Sequence, residues 1–257
     1  MFYSRNLKKF KNLKHCFFSR RGGFSSGLYK SLNCGKGSKD KRKNISKNLE
    51  YVSKKMKVQK KRLILMHQMH SNKVVEINET NLNKNIYSDA MITKCKRVAL
   101  GVLTADCVPI LVYDKKNKII GCIHAGWRGA LSNIIKKTII KIRKKNFTYD
   151  IFASVGPCIS TGNYEVDFNF YKKFLAKTKE NKKYFKSKNK NKKYFNLREY
   201  VNDKLVELNV KVDHINRDTF REKNNFFSYR RSSKLKQNDY GRCISTISII
   251  WFEKSDK

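Results

Sequence analysis

Three short polar segments interrupt apolar stretches of the chain and contain residue types that could carry chemistry. They read HQMH at 67–70, TADC at 104–107 and HAGWRG at 124–129. Two imidazoles and one thiolate match the ligands of zinc, and catalytic zinc sites keep three protein ligands with water in the fourth position. Because zinc makes such a water a nucleophile near neutral pH, the segments allow a catalytic zinc centre held by His70, Cys107 and His124.

The same residues allow other interpretations. Cys107 could be a small buried apolar side chain, and His124 could be a hydrogen-bonded core histidine at the end of a strand. The pair could also act without metal, with Cys107 as nucleophile and His124 as general base. Asp106, beside the cysteine, could orient a ligand or transfer a proton. The long spacing between the segments does not decide between these possibilities.

Arginines form a second group with chemical potential, because they number only 14 among 59 basic residues yet cluster beside glycines, aromatics and hydroxyls. Arg128 lies between Gly126 and Gly129 just before a predicted helix, where free N–H groups and a guanidinium would suit a phosphate or carboxylate. An ordinary glycine turn explains this segment equally well. The pairs that begin at Arg20 and Arg230 indicate an anionic or planar ligand.

The net charge of +39 suggests nucleic acid binding, because Lys and Arg that neutralise phosphates drive non-specific association. However, 45 of the 59 basic residues are Lys, whereas bidentate recognition of bases and phosphates favours Arg. The charge is more typical of a Lys-rich solvated surface, and specific nucleic acid binding is not expected. A non-enzymatic protein that binds RNA or DNA stays as a hypothesis, which a steep salt dependence would support.

The cysteines and the N-terminus predict the compartment. Seven cysteines without a CxxC motif do not suggest a disulfide framework, so a reducing compartment is expected. The basic N-terminus lacks the apolar segment of a signal peptide, and no apolar run reaches the length of about 18 residues typical of a membrane span. We therefore expect a cytoplasmic protein outside the membrane.

The elements that must position the candidate ligands are short β-branched strands and a few helices. Predicted strands cover Leu63–Met66, Val74–Ile77, Ala90–Thr93, Val98–Leu103, Val108–Tyr113, Ile119–His124, Ile151–Val155 and Cys243–Trp251. Predicted helices cover Ile45–Met56, Gly129–Lys145 and a segment that begins with a capping box at Asn196 and Glu199. The Lys-rich segment 172–195 is expected to be a helix end and a charged loop. The pattern predicts an α+β fold with a basic lead-in at residues 1–14, and the length of 257 residues fits one large domain or two small ones.

Eight segments resemble, in order, the pattern of the YfiH family, also called the multicopper polyphenol oxidase or laccase-domain family and the peptidoglycan editing factor family. Over about residues 15–252 they are HCFFSRRGGFSSGLYKSLN, HQMHSNKVV, SDAMIT, GVLTADCVPILVYD, GCIHAGWRGAL, ASVGPCISTGNYEV, FFSYRRSS and GRCISTI. TADCVPIL followed by HAGWRG is highly specific. Two positions depart from the family pattern, because Ser71 replaces the usual glycine and Asp218 replaces a frequent cysteine.

The resemblance implies a single α+β domain at residues 15–257 in which helices flank a layered mixed β-sheet, similar to the catalytic fold of cytotoxic necrotizing factor. It implies metal ligation by His70, Cys107 and His124, which stand at the ligand positions of the family motifs. It also implies a purine nucleoside enzyme that phosphorolyses adenosine, inosine, guanosine and methylthioadenosine and deaminates adenosine. The alternatives are copper-dependent polyphenol oxidation and a metal-free Cys–His hydrolase that acts on peptidoglycan precursors.

Zinc is the expected cofactor, and copper is the less favoured possibility. A blue-copper site uses two histidines and a cysteine. Only three of the five histidines would then remain for a trinuclear copper cluster, which is built from histidines and needs far more. His67, three residues before His70, is expected either to support the metal site or to lie on the surface.

Purine nucleosides and phosphate are the expected partners, and no obligate protein partner is predicted. The residues expected to bind them are Arg20, Arg128, Tyr164 and Arg230. Tyr164 or Phe227 could stack on the base, and phosphate is expected near Arg128 or the two arginine pairs. Cys107, His124 and Asp106 are the candidate catalytic residues, with Asp106 as proton carrier in deamination.

Overall fold

Short strands and helices make up the part of the chain that the computed structural model describes, residues 1–144 and 146–250. The α-helices there are α1 Arg5–Lys8, α2 Arg42–Lys55, α3 Trp127–Leu131, α4 Ile134–Arg143, α5 Phe168–Leu175, α6 Leu197–Val206 and α7 Tyr229–Lys234, and short 3-10 helices cover Gly27–Tyr29, Lys60–Arg62, Thr161–Asn163 and Lys179–Tyr184. The strands are β1 Leu13–Phe17, β2 Leu63–Leu65, β3 Val74–Ile77, β4 Ala90–Thr93, β5 Ala99–Thr104, β6 Val108–Asp114, β7 Ile119–Ala125, β8 Ile151–Val155, β9 Glu165–Asp167, β10 Phe185–Ser187, β11 Lys192–Phe195, β12 Lys211–His214 and β13 Cys243–Ile249. No helix within these residues has the length and apolar character needed to cross a membrane.

Two mixed sheets form the centre of the fold. The four-stranded sheet has the order β1-β13-β5-β2, in which β2 and β5 are parallel and the other pairs antiparallel. The six-stranded sheet has the order β12-β8-β6-β7-β4-β3, with a parallel pair at each edge. A third, antiparallel sheet has the order β10-β11-β9. Mixed sheets flanked by helices confirm the predicted α+β class, although the strands are divided over three sheets.

The two mixed sheets pack face to face, and helices cover their outer faces. Successive side chains of a strand point to opposite faces. On β6, Leu111 and Tyr113 therefore join the core between the sheets, whereas Ile110 and Val112 pack with side chains of α4 and α6. Leu49 and other apolar residues of α2 pack on the outer side of the four-stranded sheet. Because both faces of each sheet are covered, β6 and β7 are buried along their full length.

Most predicted strands agree with the structure to within one or two residues. The predictions for β3, β4 and β8 have the same bounds as the observed strands. At α6, the Asn196 side chain accepts a hydrogen bond from the Glu199 N–H, as a capping residue should. Strand β13 runs to Ile249, and the predicted end at Trp251 lies outside the described residues.

The prediction of one helix over Gly129–Lys145 is wrong, because the structure divides this segment into α3 and α4. Asn133 interrupts the helix with φ = 67°, a left-handed conformation that Asn tolerates better than most residues. Lys145, the predicted end, lies outside the described residues. The break leaves α3 as a single turn that carries Trp127 and Arg128 directly after β7.

The Lys-rich segment 172–195 is more ordered than the predicted charged loop. Strands β10 and β11 pair as a hairpin, and β11 also pairs with β9. The rings of Phe174 and Phe195 are buried with their centroids 4.6 Å apart. Apolar side chains thus anchor the segment while most of its lysines stay exposed.

Residues 1–14, predicted as a basic lead-in, pack against the rest of the chain. Leu7 is fully buried in the core between the sheets. The Ser4 side chain donates hydrogen bonds to Asp213, and its backbone N–H donates to Nε2 of His15 at 2.9 Å. Strand β1 already begins at Leu13, so the packed structure extends across residue 15.

Candidate functional site

The three predicted metal ligands come together where the two mixed sheets meet. His70 follows β2 of the four-stranded sheet, whereas Cys107 precedes β6 and His124 lies in β7 of the six-stranded sheet. The long spacing in sequence disappears because β6 and β7 are antiparallel neighbours, with His124 opposite Pro109. The ligand atoms of the three side chains all lie within 4.8 Å of one another.

The donor set of this cluster, two imidazoles and one thiolate, fits a zinc ion with one open position. Among the described residues, it is the one group of three or more potential His, Cys, Asp or Glu ligands found close together. His70 is exposed and Cys107 is half-buried, so ions and small molecules can reach the centre, while His124 is buried. The residues present therefore fit the metal that the sequence predicts.

The remaining three histidines are not gathered into a second cluster within residues 1–144 and 146–250. His15 is buried and accepts the Ser4 N–H. His214 contacts the Asn202 side-chain oxygen at 2.9 Å. His67 is exposed beyond the end of β2. A trinuclear copper cluster would need these side chains to converge on one point.

Asp89, which the sequence analysis did not select, connects two of the three ligands. Its fully buried carboxylate lies 2.8 Å from Nδ1 of His124. The same carboxylate accepts the backbone N–H groups of Met69, His70 and Ser71 at 3.2, 2.9 and 2.6 Å. With a proton on Nδ1 directed at Asp89, Nε2 of His124 is left for a metal. The available signal was the SDAMIT segment, in which this aspartate precedes the buried strand β4.

The ionisable groups of the cluster stabilise one another's charged forms. Burial disfavours the thiolate, but His124 and His70 outweigh this effect and lower the pKa of Cys107 to about 7. Burial likewise disfavours a charged imidazole, but Cys107 and Asp89 raise the pKa of His124 to about 9. Against its own burial, hydrogen bonds from His124 and Ser71 lower the pKa of Asp89 to about 2. The thiolate form, which metals and electrophiles require, is thus accessible at neutral pH.

Asp106 is the second buried carboxylate of the site, and it holds a different part of the chain. It accepts hydrogen bonds from Oγ1 of Thr219 at 2.7 Å, Oγ of Ser228 at 2.9 Å and the backbone N–H of Arg230 at 2.7 Å. Burial raises its pKa despite these bonds. Because both oxygens are engaged by protein donors, the contacts favour a positioning role over the predicted proton transfer.

Two site residues have left-handed backbone conformations. The φ angle is 57° at His70 and 95° at Asp106. Such angles are uncommon outside glycine, and each costs of the order of 1 kcal/mol or more, so the surrounding structure must hold them. Asp89 holds the first through the His70 N–H, and the donors around Asp106 hold the second.

Two cavities meet at the cluster. The aromatic cavity, of about 390 Å³, has Trp127, Tyr164 and Phe170 in its wall together with Arg128 and Arg230. The basic cavity, of about 320 Å³, has Lys36, His67, Tyr240 and Arg242 in its wall. His70 and Cys107 line both cavities, and the two have no other lining residue in common. The His70–Cys107–His124 cluster can therefore be reached from two directions.

The structure separates the predicted substrate-binding residues. Arg128, Tyr164 and Arg230 line the aromatic cavity, where the Arg230 guanidinium lies 5.4 Å from the centre of the Tyr164 ring. Arg20 lines neither cavity. Its guanidinium donates to three backbone carbonyls and lies 4.2 Å above the buried ring of Phe227. These contacts favour a role in stabilising the fold over the predicted role in substrate binding.

The two departures from the family pattern both support loops near the site. The Ser71 hydroxyl donates to Asp89 at 2.7 Å. Asp218 accepts hydrogen bonds from Ser160 Oγ at 2.6 Å and from the Asn163 side chain at 2.7 Å. Asp218 thereby anchors the loop that leads to Tyr164.

Comparison with known proteins gives matches over most of the chain. Residues 14–250 match the family model described as multi-copper polyphenol oxidoreductase laccase. A purine nucleoside phosphorylase of Rickettsia prowazekii is 35% identical over 207 residues, which is 80% of this chain and 85% of that protein. A purine nucleoside phosphorylase of Haemophilus influenzae is 29% identical over 246 residues, 95% and 96% of the two chains.

Solved structures share the fold. A Neisseria meningitidis protein of the DUF152 family model superposes with a TM-score of 0.84 at 28% identity, covering 94% of this chain and 96% of the other. A YfiH protein of Bacillus licheniformis gives a TM-score of 0.86 at 24% identity over 92% of each chain. The second likeness concerns the fold alone.

Proposed function

This chain belongs to the YfiH-like family described as multi-copper polyphenol oxidoreductase laccase, and from that premise we propose that it is a zinc-dependent purine nucleoside phosphorylase. The observation that carries the proposal is the opening of the His70–Cys107–His124 cluster into a cavity walled by aromatic rings. Aromatic faces stack on planar bases. The names of the bacterial relatives support the same activity.

The proposed substrates are adenosine, inosine, guanosine and methylthioadenosine, with deamination of adenosine as a second reaction. Tyr164 is the proposed stacking partner of the base, because it lies in the aromatic cavity whereas Phe227 is buried beneath Arg20. Asp89 fixes the orientation of the His124 ring. Arg230 is held in the wall by its hydrogen bond to the Glu165 carbonyl at 2.7 Å.

Zinc bound by His70, Cys107 and His124 would supply Lewis-acid polarisation of an oxygen atom. Copper is the less favoured occupant, because the described histidines do not assemble a trinuclear cluster. We also propose that the protein works in the cytoplasm without an obligate protein partner. All seven cysteines are free thiols, which supports a reducing compartment.

The direct test is to incubate the purified protein with adenosine, with and without phosphate, and to separate adenine, inosine and hypoxanthine by chromatography. We expect adenine only when phosphate is present, and inosine in either case. Both products should disappear in His124→Ala, and bound zinc should be lost in Cys107→Ala because a ligand is removed. Full zinc content and activity in Cys107→Ala would contradict the metal assignment.

A second candidate is a metal-free Cys–His hydrolase that acts on peptidoglycan precursors. The specific observation in its favour is the sequence of contacts from Asp89 through His124 to Cys107, because an oriented imidazole beside a thiolate is the arrangement of a cysteine nucleophile. Activity that survives chelators but is abolished by iodoacetamide would favour this candidate. A folded, zinc-loaded sample that forms no product from adenosine would also favour this candidate.

A further inference from the structure

The basic cavity differs in charge from the aromatic cavity, although the two share the metal centre. None of its described lining residues is acidic, whereas Lys36 and Arg242 carry positive charge. The aromatic cavity has three carboxylates in its wall, Asp106, Glu165 and Asp167. Of the two cavities, the basic one is therefore the more favourable for an anion, although Asp239, outside its wall, also interacts electrostatically with Arg242.

Arg242 is the best-placed cation of the basic cavity. Its guanidinium carbon lies 4.4 Å from the centroid of the Tyr240 ring, a cation–π contact that restrains the side chain. The one acceptor found for it in the described part of the chain is the Tyr240 carbonyl, at a long 3.4 Å. Most of its five N–H donors are therefore free for a ligand.

The other arginines near the site are engaged differently. Arg20 and Arg231 donate to several backbone carbonyls, and Arg230 donates to the Glu165 carbonyl. Arg128 has no acceptor among the described residues, but it is exposed at the aromatic cavity and lies 5.2 Å from the Trp127 ring. Arg242, by contrast, is half-buried with Lys36 nearby in the same wall.

We propose that the basic cavity binds the phosphate co-substrate through Lys36 and Arg242, so that nucleoside and phosphate reach the centre from separate cavities. This inference rests on the proposed phosphorylase activity. It differs from the sequence-based expectation, which placed phosphate near Arg128 or the two arginine pairs.

The division into two cavities suits displacement at the anomeric carbon of the ribose. The C1′–N9 bond breaks and its electron pair stays on the purine, while a phosphate oxygen forms the new bond to C1′. The proton that hydrogen phosphate gives up is the one that the purine nitrogen takes, so no other reactant is needed. The incoming and leaving groups act on opposite faces of C1′. With the base in the aromatic cavity, we place the ribose at His70 and Cys107, because these two residues line both cavities, and the phosphate on the side of C1′ that faces the basic cavity.

A larger open groove continues from the basic cavity and extends the field of positive charge. The groove shares Lys36, Leu65 and His67 with the cavity. Its wall adds further cations, Arg42, Lys60, Lys61 and Lys84. Such a surface raises the local concentration of small anions at the entrance.

The test compares the phosphate KM and the nucleoside KM of four variants of the full chain. Lys36→Ala and Arg242→Gln should each raise the phosphate KM by about 10- to 100-fold, since each removes a charge-assisted contact, and should leave the nucleoside KM near wild type. Lys36→Arg should retain phosphate affinity. Lys43→Ala is the matched control, because it removes one exposed charge of α2 that lines neither cavity.

Arg128→Ala distinguishes the two cavities. A raised phosphate KM in Arg128→Ala, with unchanged values in Lys36→Ala and Arg242→Gln, would place phosphate in the aromatic cavity and overturn the proposal. Binding of inorganic phosphate to each zinc-loaded protein, measured by calorimetry, gives a readout that does not depend on turnover. Phosphate binding that is lost in Lys36→Ala, in a protein without phosphorylase activity, would remove the proposed function but keep the anion site.

Adenosine monophosphate separates the two possible sources of the phosphoryl group. If inorganic phosphate binds and the monophosphate does not compete more strongly, the cavity is a site for the free ion. If only the monophosphate binds in a Lys36-dependent way, the cavity serves a phosphate ester and the co-substrate assignment is wrong.

Discussion

The regions around Asp89 and Asp106 use the same residue type in opposite ways. Both carboxylates are buried and both accept several hydrogen bonds. Asp89 receives donors from the loop of His70 and from the His124 ring, so it acts on the metal ligands. Asp106 receives donors from Thr219, Ser228 and Arg230, so it acts on the wall of the aromatic cavity. In the structure, contacts to the ligands therefore come from Asp89, whereas Asp106, the neighbour of Cys107 in sequence, contacts the wall of the aromatic cavity.

The largest expected effect is a difference in zinc affinity between variants of the two carboxylates. Asp89→Asn should lower zinc affinity by about 10- to 100-fold, because an amide has only one acceptor oxygen and cannot accept both the His124 Nδ1–H and the N–H groups of the His70 loop. Asp106→Asn should leave zinc affinity near wild type and raise the nucleoside KM, since Arg230, whose N–H donates to Asp106, lines the aromatic cavity. Competition with a zinc-chelating dye measures the first quantity, and initial rates measure the second. Equal zinc affinities in the two variants would remove the distinction.

The second effect is the pH dependence of stability in the metal-free protein. The pKa of Asp89 is about 2 when folded and near 3.9 when unfolded, so its stabilisation is present above pH 4 and is lost as the pH falls through 2. The loss should be about 2 kcal/mol and should be absent in Asp89→Asn. The raised pKa of Asp106 has the opposite sign, because its contribution is complete in acid and is lost as the pH rises through that pKa.

Urea unfolding at several pH values from 2 to 5 tests this difference. Asp89→Asn should show a flatter acid profile than the wild type, whereas Asp106→Asn should show a steeper one. Parallel profiles of all three proteins would mean that neither carboxylate changes its pKa on folding.

The smallest effects concern the hydroxyl donors. Ser228→Ala should destabilise the protein by about 1–2 kcal/mol, because Ser228 donates to Asp106 and also caps α7 by accepting the Arg231 N–H. Ser71→Ala should cost about 1 kcal/mol, because Asp89 keeps its backbone donors. Thermal unfolding of both variants measures the two losses of stability. A larger loss in Ser71→Ala than in Ser228→Ala would contradict the prediction.

Much of the fold could be predicted because strands such as β3, β4 and β8 are compact, β-branched and bounded by polar residues. The third sheet could not, because Phe174, Phe185 and Phe195 acquire their partners only in three dimensions. The break at Asn133 depends on one backbone angle that an apolar periodicity does not reveal. His70, Cys107 and His124 were available from motif residues. Asp89 was not selected, because a single aspartate before a strand has no spacing that links it to distant ligands.

At His70 and Asp106 the backbone adopts left-handed angles that favour glycine, although the site has functional side chains at both positions. Glycine would adopt both angles without a steric penalty, so His70 and Asp106 carry a backbone cost that their surroundings must offset. A lineage released from selection for activity would be free to drift toward glycine at these two positions and would gain backbone ease there. A copy of this chain with glycine at position 70 would therefore lose one side chain of the cluster while easing the backbone, even where the sheets and their cores persist unchanged.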